Sequence, residues 1–282
     1  MRKLLFILAL GILPALTFAQ GAGGQIKRPV KKQQPTNTTP KKESEHQSAR
    51  NSKLPPVIQN LVNNMVRVEG GTFTMGATSE QGGDLDTPTH RVTLSSFSIG
   101  KYEVTQEEWL AVMGSNPSKY NGVKRPVEKV SWNECQEFIR KLNAMTGKRF
   151  RFPTEAEWEY AARGGNRSMG YIYSGSDNLD LVAWYSGNSV NTTHDVGQKS
   201  PNELGLYDMS GNVEEWCQDW YDHYGNNSKT NPKGPSSGYL RVSRGGTCLS
   251  FGGHPFWPCS VWKRHSASPD DSESLIGLRL AL

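Results

Sequence analysis

The hydrophobic positions divide the chain into three parts. An apolar run spans residues 4–16, and residues 21–56 then contain almost no large apolar side chain. From Val57 onward, aromatic and aliphatic positions recur every few residues. A segment without apolar positions cannot bury enough surface to offset the entropy lost on ordering it. The pattern therefore predicts a short leading segment over 1–19, a disordered linker over 20–58 and one folded domain over 59–282.

Three helices are predicted inside the domain from the same start signal, the capping box. In this motif a Ser or Thr precedes a Glu by three residues, and each side chain bonds the backbone amide of the other residue. The boxes begin at Thr105, Ser131 and Thr154, and apolar residues at helical spacing follow each one. Alternating or β-branched runs predict strands at 65–68, 72–75, 91–94, 98–102 and 241–243. The expected fold is an irregular α+β domain with little regular secondary structure.

The leading segment has the features of a signal peptide. Arg2 and Lys3 precede the apolar run, and the residues 17–19 that follow it end in Ala19, a small residue of the kind that signal peptidase requires. The run is shorter than the about 20 residues that a membrane-spanning helix needs. We expect cleavage between Ala19 and Gln20, export to the periplasm or beyond the cell, no lipid anchor and no transmembrane segment.

The net charge is unevenly distributed. The formal total is +5, but residues 20–58 carry eight Lys and Arg against Glu43 and Glu45, and residues 59–282 are net acidic at −3. Because the folded domain is not basic, nucleic-acid binding is not indicated. The basic linker would suit an anionic membrane surface or an acidic partner.

Four cysteines lie in the domain: Cys135, Cys217, Cys248 and Cys259. An exported chain meets an oxidising compartment, in which disulfides persist. The cysteines form no CxxC pair, so a structural zinc site is not expected. Their spacing does not choose among the possible disulfide pairings.

Several phrases of the domain identify a family. They are VEGGTFTMG at 68–76, YEVT at 102–105, PVEKVSW at 126–132, FPTEAEWEYAARGG at 152–165, PNELGLYDMSGNVEEW at 201–216, RVSRGGT at 241–247 and IGLR at 276–279. Together they resemble the formylglycine-generating-enzyme (sulfatase-modifying factor) family over about four-fifths of the chain. The resemblance implies the fold of that family, a variant of the C-type lectin fold.

The resemblance also implies a position for the family's catalytic cysteines. In catalytic members a Gly-Gly-Ser turn is followed by two cysteines that bind copper(I) and oxidise a substrate cysteine to formylglycine. Here the turn ends at Thr247, Ser250 occupies the first cysteine position, and the second falls near Pro255. Cys248 and Cys259 are then a displaced pair or structural residues. A hydroxyl cannot replace a thiolate on copper(I), so we expect no copper site and no oxidase activity.

Other residues of this region depart from the catalytic pattern. A close pair of Cys248 and Cys259 would form a disulfide or, with His254, an unusual metal site. Glu214 replaces a Trp of the catalytic members and removes an apolar wall. Trp257 and Trp262 are expected to be exposed and to line a surface groove, whereas the other Trp residues are expected to fill the core.

The family also binds Ca²⁺, and its ligand pattern can be placed on this chain. An Asp or Asn side chain is followed, at +3, +5 and +7, by two backbone carbonyls and a Glu, which correspond here to Asp208, Gly211, Val213 and Glu215. Ca²⁺ takes about six to eight oxygen ligands, and a Gly-containing turn can aim carbonyls inward. The alternative is that Asp208 and Glu215 only bond backbone amides of the same turn.

Three functions are compatible with the sequence. The first is an exported, noncatalytic binding or scaffold module with a protein partner in the cell envelope, similar to family members that form structural parts of type IX secretion and gliding machinery. The second is a copper-dependent cysteine oxidase that generates formylglycine through rearranged cysteines. The third is a lectin-like module that binds peptide or glycan through residues 248–271.

Overall fold

Short helices and strands alternate with long irregular segments. The computed structural model describes residues 54–252, 258–272 and 275–282, so the predicted signal peptide, its cleavage site, most of the predicted linker, His254, Pro255 and Trp257 lie outside the described residues. The helices are α1 (Pro56–Asn63), α2 (Gln106–Met113), α3 (Trp132–Thr146), α4 (Glu155–Ala162) and α5 (Leu179–Val182), with a 3-10 turn at Gly165–Arg167. No helix of the described residues is both long enough and apolar enough to cross a membrane.

The strands form three small sheets. They are β1 (Met65–Val68), β2 (Gly71–Met75), β3 (His90–Leu94), β4 (Phe97–Gly100), β5 (Glu214–Trp220), β6 (Lys229–Thr230), β7 (Arg241–Arg244), β8 (Arg264–Ala267) and β9 (Ile276–Gly277). In the described chain β1 pairs with β4, β3 lies between β2 and β6, and the third sheet has the order β8-β7-β5-β9. In this third sheet β5 pairs antiparallel with β7 and parallel with β9.

The three capping boxes form as the sequence predicts. The hydroxyls of Thr105, Ser131 and Thr154 each accept from the amide of the Glu three residues on, and that Glu accepts from the cap residue's amide. Helix α3 ends at Gly147, whose φ of 68° is the left-handed conformation that glycine adopts without strain. The predicted strands are found with ends that differ by no more than two residues.

The predicted linker extends too far into the chain. Residues 56–58, placed in the linker, belong to helix α1, in which Ile58 is fully buried and Leu61 nearly so. These two side chains pack in the same core cluster as Trp109 and Phe138. Pro55 and Pro56 read as linker residues, yet Pro is well suited to the first turn of a helix, where its missing N–H has no partner to lose.

Two large groups of buried side chains form the core. One surrounds Trp158 of α4, and the other surrounds Trp216 of β5 and the inner face of α3. Trp109 and Trp132 are also buried, as expected, whereas Trp184 and Trp220, also expected in the core, are partly exposed. The prediction that Trp262 is exposed is wrong, because its ring is 3% exposed and packs in the Trp158 group.

Candidate functional site

The turn over residues 208–213 is the centre of the site. Asp208, Gly211 and Asn212 have φ values of 58°, 82° and 61°. Gly reaches this left-handed region freely, and Asp and Asn tolerate it better than other residues do. A Cβ on Gly211 would lie 2.3 Å from the carbonyl oxygen of Trp184, so the turn also requires a residue without a side chain at this point.

Two buried side chains hold this turn in place. The Nδ2 of Asn212 donates to Glu103 Oε2 at 2.7 Å and to the carbonyl of His194 at 3.2 Å, and the amide of Val213 donates to Glu103 Oε1 at 3.2 Å. The Oδ1 of Asn212 accepts from the amide of His194 at 3.0 Å. Glu103 therefore fixes the turn from a segment more than a hundred residues away in sequence.

The segment with the cysteine positions rests directly on the same turn. The amide of Gly211 donates to the carbonyl of Gly245, and the amide of Cys248 donates to the carbonyl of Asn212, both at 2.8 Å. The hydroxyl of Ser210 donates to the carbonyl of Cys259 at 2.8 Å. The structure thus brings the predicted Ca²⁺ ligands and the predicted cysteine positions into one contiguous site.

We call the buried carboxylates of Glu103, Asp208 and Glu215, together with Arg279, the acidic cluster. Each of the four side chains is at most 2% exposed. The guanidinium of Arg279 contacts both oxygens of Glu215, with an Nη2–Oε1 distance of 2.7 Å. The indole Nε1 of Trp158 also donates to Glu215 Oε2, at 2.7 Å. One guanidinium therefore faces three carboxylates.

The surplus of carboxylates changes how the cluster binds protons. Burial raises the pKa of Glu103 well above its usual value, and the charges of Asp208 and Glu215 raise it further. Burial likewise raises the pKa of Asp208 to about 6, against a hydrogen bond from Gly197 and the charge of Arg279. Desolvation and repulsion between like charges both disfavour the ionised form. A cation in this cluster would relieve both effects.

Of the two predicted carboxylate ligands, Asp208 has a free oxygen, whereas both oxygens of Glu215 already accept from Arg279 or Trp158. The Oδ2 of Asp208 accepts from the amide of Gly197 at 2.7 Å, whereas its Oδ1 is buried and has no hydrogen-bond partner among the described residues. Buried polar atoms in proteins are nearly always paired, so this oxygen calls for a donor or a cation. The described residues contain no group of three or more His, Cys, Asp or Glu side chains placed to hold a metal, so backbone carbonyls such as those of Gly211 and Val213 would have to contribute.

The alternative, in which Asp208 and Glu215 only bond amides of their own turn, differs from the structure. Asp208 accepts from Gly197, which lies outside the turn. Glu215 accepts from Arg279 and Trp158. Neither carboxylate is therefore used to close the turn.

The cysteine turn contains no accessible thiol. Cys248 and Cys259 are free and at most 1% exposed, so neither the proposed disulfide nor an open pair of thiols is present. A Cβ on Gly246 would lie 2.9 Å from Cys259 Sγ, which shows how closely the Gly-Gly turn covers this sulfur. Ser250 Oγ accepts from the amide of Thr247 at 2.9 Å and thereby closes the turn.

The surroundings keep both thiols protonated. Burial raises the pKa of Cys248 to about 12, and the charges of Glu103 and Glu128 act in the same direction. Burial also raises the pKa of Cys259 to about 12, against a hydrogen bond with Ser250. Because the thiolate is the nucleophile and the metal ligand, buried thiols of this kind are chemically inert.

Glu214 faces the cysteine region from strand β5. It is partly buried, and its Oε2 accepts from the hydroxyl of Ser243 at 2.6 Å. Its Oε1 lies 3.6 Å from His265 Nδ1. Its charge also raises the pKa of Cys259. A carboxylate here makes the surroundings of the cysteine less favourable to a thiolate.

Sequence reasoning did not assign roles to Glu103, Asn212 and Arg279. All three occur in the quoted family phrases, and all three are buried polar or charged residues. The signal available from sequence was a charged residue inside an otherwise apolar phrase, as in YEVT and IGLR. That signal does not show which carboxylates Arg279 contacts.

Comparisons with known proteins identify the family of this chain. A family model, the sulfatase-modifying factor enzyme 1-like domain, matches residues 50–282. The chain therefore belongs to the sulfatase-modifying factor family. Its α+β fold is that of the formylglycine-generating enzymes, as the sequence predicts.

The relatives of this chain include a chaperone protein and a formylglycine-generating enzyme. The chain is 37% identical over 236 aligned residues to the chaperone protein LppX of Paenibacillus barcinonensis, covering 66% of this chain and 79% of the relative. It is 30% identical over 288 residues to the formylglycine-generating enzyme of Streptomyces coelicolor, covering 77% and 88%. Among solved structures, Treponema denticola variable protein 1 matches with a TM-score of 0.69 and 35% identity, covering 77% of this chain and 94% of that one.

Proposed function

We propose that this protein is an exported, noncatalytic binding or scaffold module of the sulfatase-modifying factor family, with a protein partner in the cell envelope. The observation that carries the proposal is the state of the cysteine turn. Cys248 and Cys259 are buried, each with a pKa of about 12, and the family resemblance implies that Ser250 stands at the first cysteine position. Copper(I) chemistry needs accessible thiolates, and this turn presents none.

Exposed apolar side chains on two adjoining loops support a binding role. Val190, Leu249 and Phe251 are 84%, 41% and 80% exposed. The two loops that carry them are joined by hydrogen bonds from Ser189 Oγ to the carbonyl of Cys248, at 2.6 Å, and from the amide of Ser186 to the carbonyl of Ser250, at 3.0 Å. Contiguous exposed apolar surface is typical of protein interaction sites. A relative named as a chaperone also fits a protein-binding role.

The proposal of export depends on the sequence of residues 1–19. The basic linker that follows would separate the domain from its attachment or docking point. N-terminal sequencing of the protein purified from the envelope fraction of its host should start at Gln20, and mass spectrometry should find no acyl chain.

Ca²⁺ is the metal ion that we propose for the site, and its ligands would be Asp208, Gly211, Val213 and Glu215. The support is the charge of the acidic cluster and the unpartnered Oδ1 of Asp208. A divalent cation would neutralise carboxylates that one guanidinium leaves uncompensated. Since the cysteine segment rests on the same turn, the ion would also stabilise the surface around Leu249.

The decisive test is a turnover assay on a sulfatase-type cysteine peptide. Reduced protein loaded with copper should leave the peptide mass unchanged, and the formylglycine-generating enzyme of Streptomyces coelicolor serves as the positive control. Copper(I) binding, measured by competition with a chromophoric chelator, should be no stronger than that of the Cys259→Ser variant. Turnover that the Cys259→Ser variant abolishes would overturn the proposal and establish an oxidase with rearranged cysteines.

A further inference from the structure

A cavity lies apart from the cysteine turn. It has a volume of about 840 Å³ and is lined by the apolar side chains of Phe97, Phe152 and Trp220 and the polar side chains of Gln218, Lys233 and Arg241. No residue of the 208–213 turn or of the segment 245–252 lines it. We call it the Arg241 cleft. Its size suits a small molecule. Polar and charged residues make up more than half of its lining, so a ligand would have to be polar.

Arg241 is held rigidly in this cleft. Its guanidinium carbon lies 3.5 Å from the ring centre of Trp220 and 3.9 Å from that of Trp132. Its Nη1 donates to the carbonyl of Gln218 at 2.6 Å. A guanidinium between two aromatic faces is fixed in orientation before any ligand arrives, which lowers the entropy lost on binding.

The charge of Arg241 has no counter-ion within bonding distance. In the part of the chain that the structure describes, its one hydrogen bond goes to a neutral carbonyl, it forms no salt bridge, and its Nε is buried without an acceptor. Burial lowers its pKa, against the charge of Asp219. A partly desolvated cation in this situation is stabilised by an anion that reaches its free nitrogens.

Arg151, in the same cleft, shows the contrasting arrangement. Its two terminal nitrogens bond the two oxygens of Glu157 at 2.6 and 2.8 Å, so its charge is already matched. Lys233, on the exposed segment that borders the cleft, forms no salt bridge with any described residue. The cleft therefore has three cationic side chains and one carboxylate side chain, and two of the cations are free.

We propose that the Arg241 cleft binds a small polar molecule that carries a carboxylate, sulfate or phosphate group. The anionic group contacts Nη2 of Arg241, the nitrogen that neither bonds Gln218 nor is buried, and Lys233 adds a second positive charge to the lining. The remainder of the ligand contacts the partly exposed Trp220 and the polar side chains of the lining. An acidic sugar has this combination of one anionic group, hydroxyls and a compact ring.

The test is titration calorimetry with four probes: glucuronate, inorganic sulfate, inorganic phosphate and glucose. Trp220 lines the cleft, so tryptophan fluorescence provides a second readout. At least one anion should bind, and uncharged glucose should bind about tenfold more weakly or not at all, because a hydrogen bond to a charged group contributes on the order of one power of ten in affinity. The anion that binds most tightly identifies the class of group.

The variants distinguish a site from general attraction to positive charge. Arg241→Gln should lower the affinity about tenfold or more, and Arg241→Lys should restore only part of it because the ammonium lacks the planar fork. The exposed Lys233→Gln, which leaves the packing intact, should lower it about twofold to fivefold. Arg140→Gln and Lys148→Gln remove the same charge from exposed positions outside the cleft and should have no effect.

Several outcomes would overturn the proposal. They are binding of glucose as tight as that of the best anion, the absence of binding by all three anions, an unchanged affinity in Arg241→Gln, and a loss of affinity in Arg140→Gln as large as in Arg241→Gln. If Arg241→Gln does not fold, Lys233→Gln against Lys148→Gln decides the question, and equal affinities would then count against the site.

Discussion

Trp158 lies between two buried groups of charged side chains that differ in their balance of charge. Its indole donates to Glu215 of the acidic cluster, and its ring lies under the guanidinium of Arg244. Arg244 belongs to what we call the arginine network, in which Arg163, Arg244 and Arg264 contact Glu155 and Glu159. The network has three guanidinium groups for two carboxylates, whereas the acidic cluster has one for three.

This difference reverses the direction of the pKa shifts. Burial alone would raise the pKa of Glu155, but the charges of Arg264 and Arg244 outweigh it and lower the pKa. Glu103 is equally buried, yet its pKa is raised because its charged neighbours include Asp208 and Glu215. Burial alone thus does not decide protonation. The charges of nearby guanidinium groups outweigh burial at Glu155 but not at Glu103.

The largest loss in the free energy of unfolding is expected when an arginine of the arginine network is replaced. Arg244 is fully buried and contacts Glu159, so Arg244→Met leaves a buried carboxylate with less compensation. Removing one partner of such a pair costs about 3–5 kcal/mol. Urea denaturation should show this loss in the free energy of unfolding. The exposed pair of Arg140 and Glu137 gives the control, since Arg140→Met should cost about 0–1 kcal/mol. Equal losses in the two variants would mean that burial does not distinguish the pairs.

The parts of the fold that could be predicted from sequence have local causes. The capping boxes at Thr105, Ser131 and Thr154 act within four residues, and the structure forms all three. Strand β5 was not predicted, because its sequence EEWCQDW has no alternation and is ordered by β7 and β9 on either side. Interactions between distant segments decide such strands, and no short window contains them.

The residues of the site also divide into those that are close in sequence and those that come from distant segments. The proposed ligands from Asp208 to Glu215 occupy one short segment, so they could be placed together from sequence alone. The acidic cluster also needs Glu103 and Arg279, which come from segments far apart in the chain. The family resemblance implies that Ser250 stands at a cysteine position, but the burial of Cys248 and Cys259 depends on the packing of Gly246 and the 208–213 turn. The state of the thiols could therefore only be found in the structure.

An intermediate effect on the free energy of unfolding is expected from the titration of Asp219, at the edge of the arginine network. Its Oδ2 accepts from the amide of Glu155 at 2.9 Å. Burial, and then the charge of Glu155, raises its pKa to about 7. The folded state therefore holds this proton more tightly than the unfolded state does. The resulting stability is present at low pH and is lost as pH rises through about 7, by up to about 4 kcal/mol.

Asp219→Asn should remove this part of the pH dependence. The amide oxygen still accepts from Glu155, so the fold is retained and the free energy of unfolding should fall less between pH 4.5 and 7.5 than in the wild type. Asp84→Asn, at an exposed carboxylate, should follow the wild-type curve. Parallel curves for wild type and Asp219→Asn would show that Asp219 is ionised throughout this range.

The smallest change in the free energy of unfolding is expected from Ca²⁺. It tests the comparison between the two charged groups most directly, because the ion should bind the acidic cluster and not the arginine network. An ion that binds only the folded state stabilises it by about 2.7 kcal/mol at a hundredfold excess over Kd. Asp208→Ala should lose this increment. The left-handed φ of 58° at Asp208 makes Ala strained there, so the quantity to compare is the difference in Tm with and without Ca²⁺ within each variant. Asp84→Ala removes an exposed carboxylate and should keep the full stabilisation by Ca²⁺. A folded Arg244→Met variant should keep it too, since Arg244 belongs to the arginine network and not to the proposed Ca²⁺ site. Identical wild-type melting temperatures in millimolar Ca²⁺ and in chelator would refute the site, and the cluster would then have to be balanced by protons on Glu103 and Asp208.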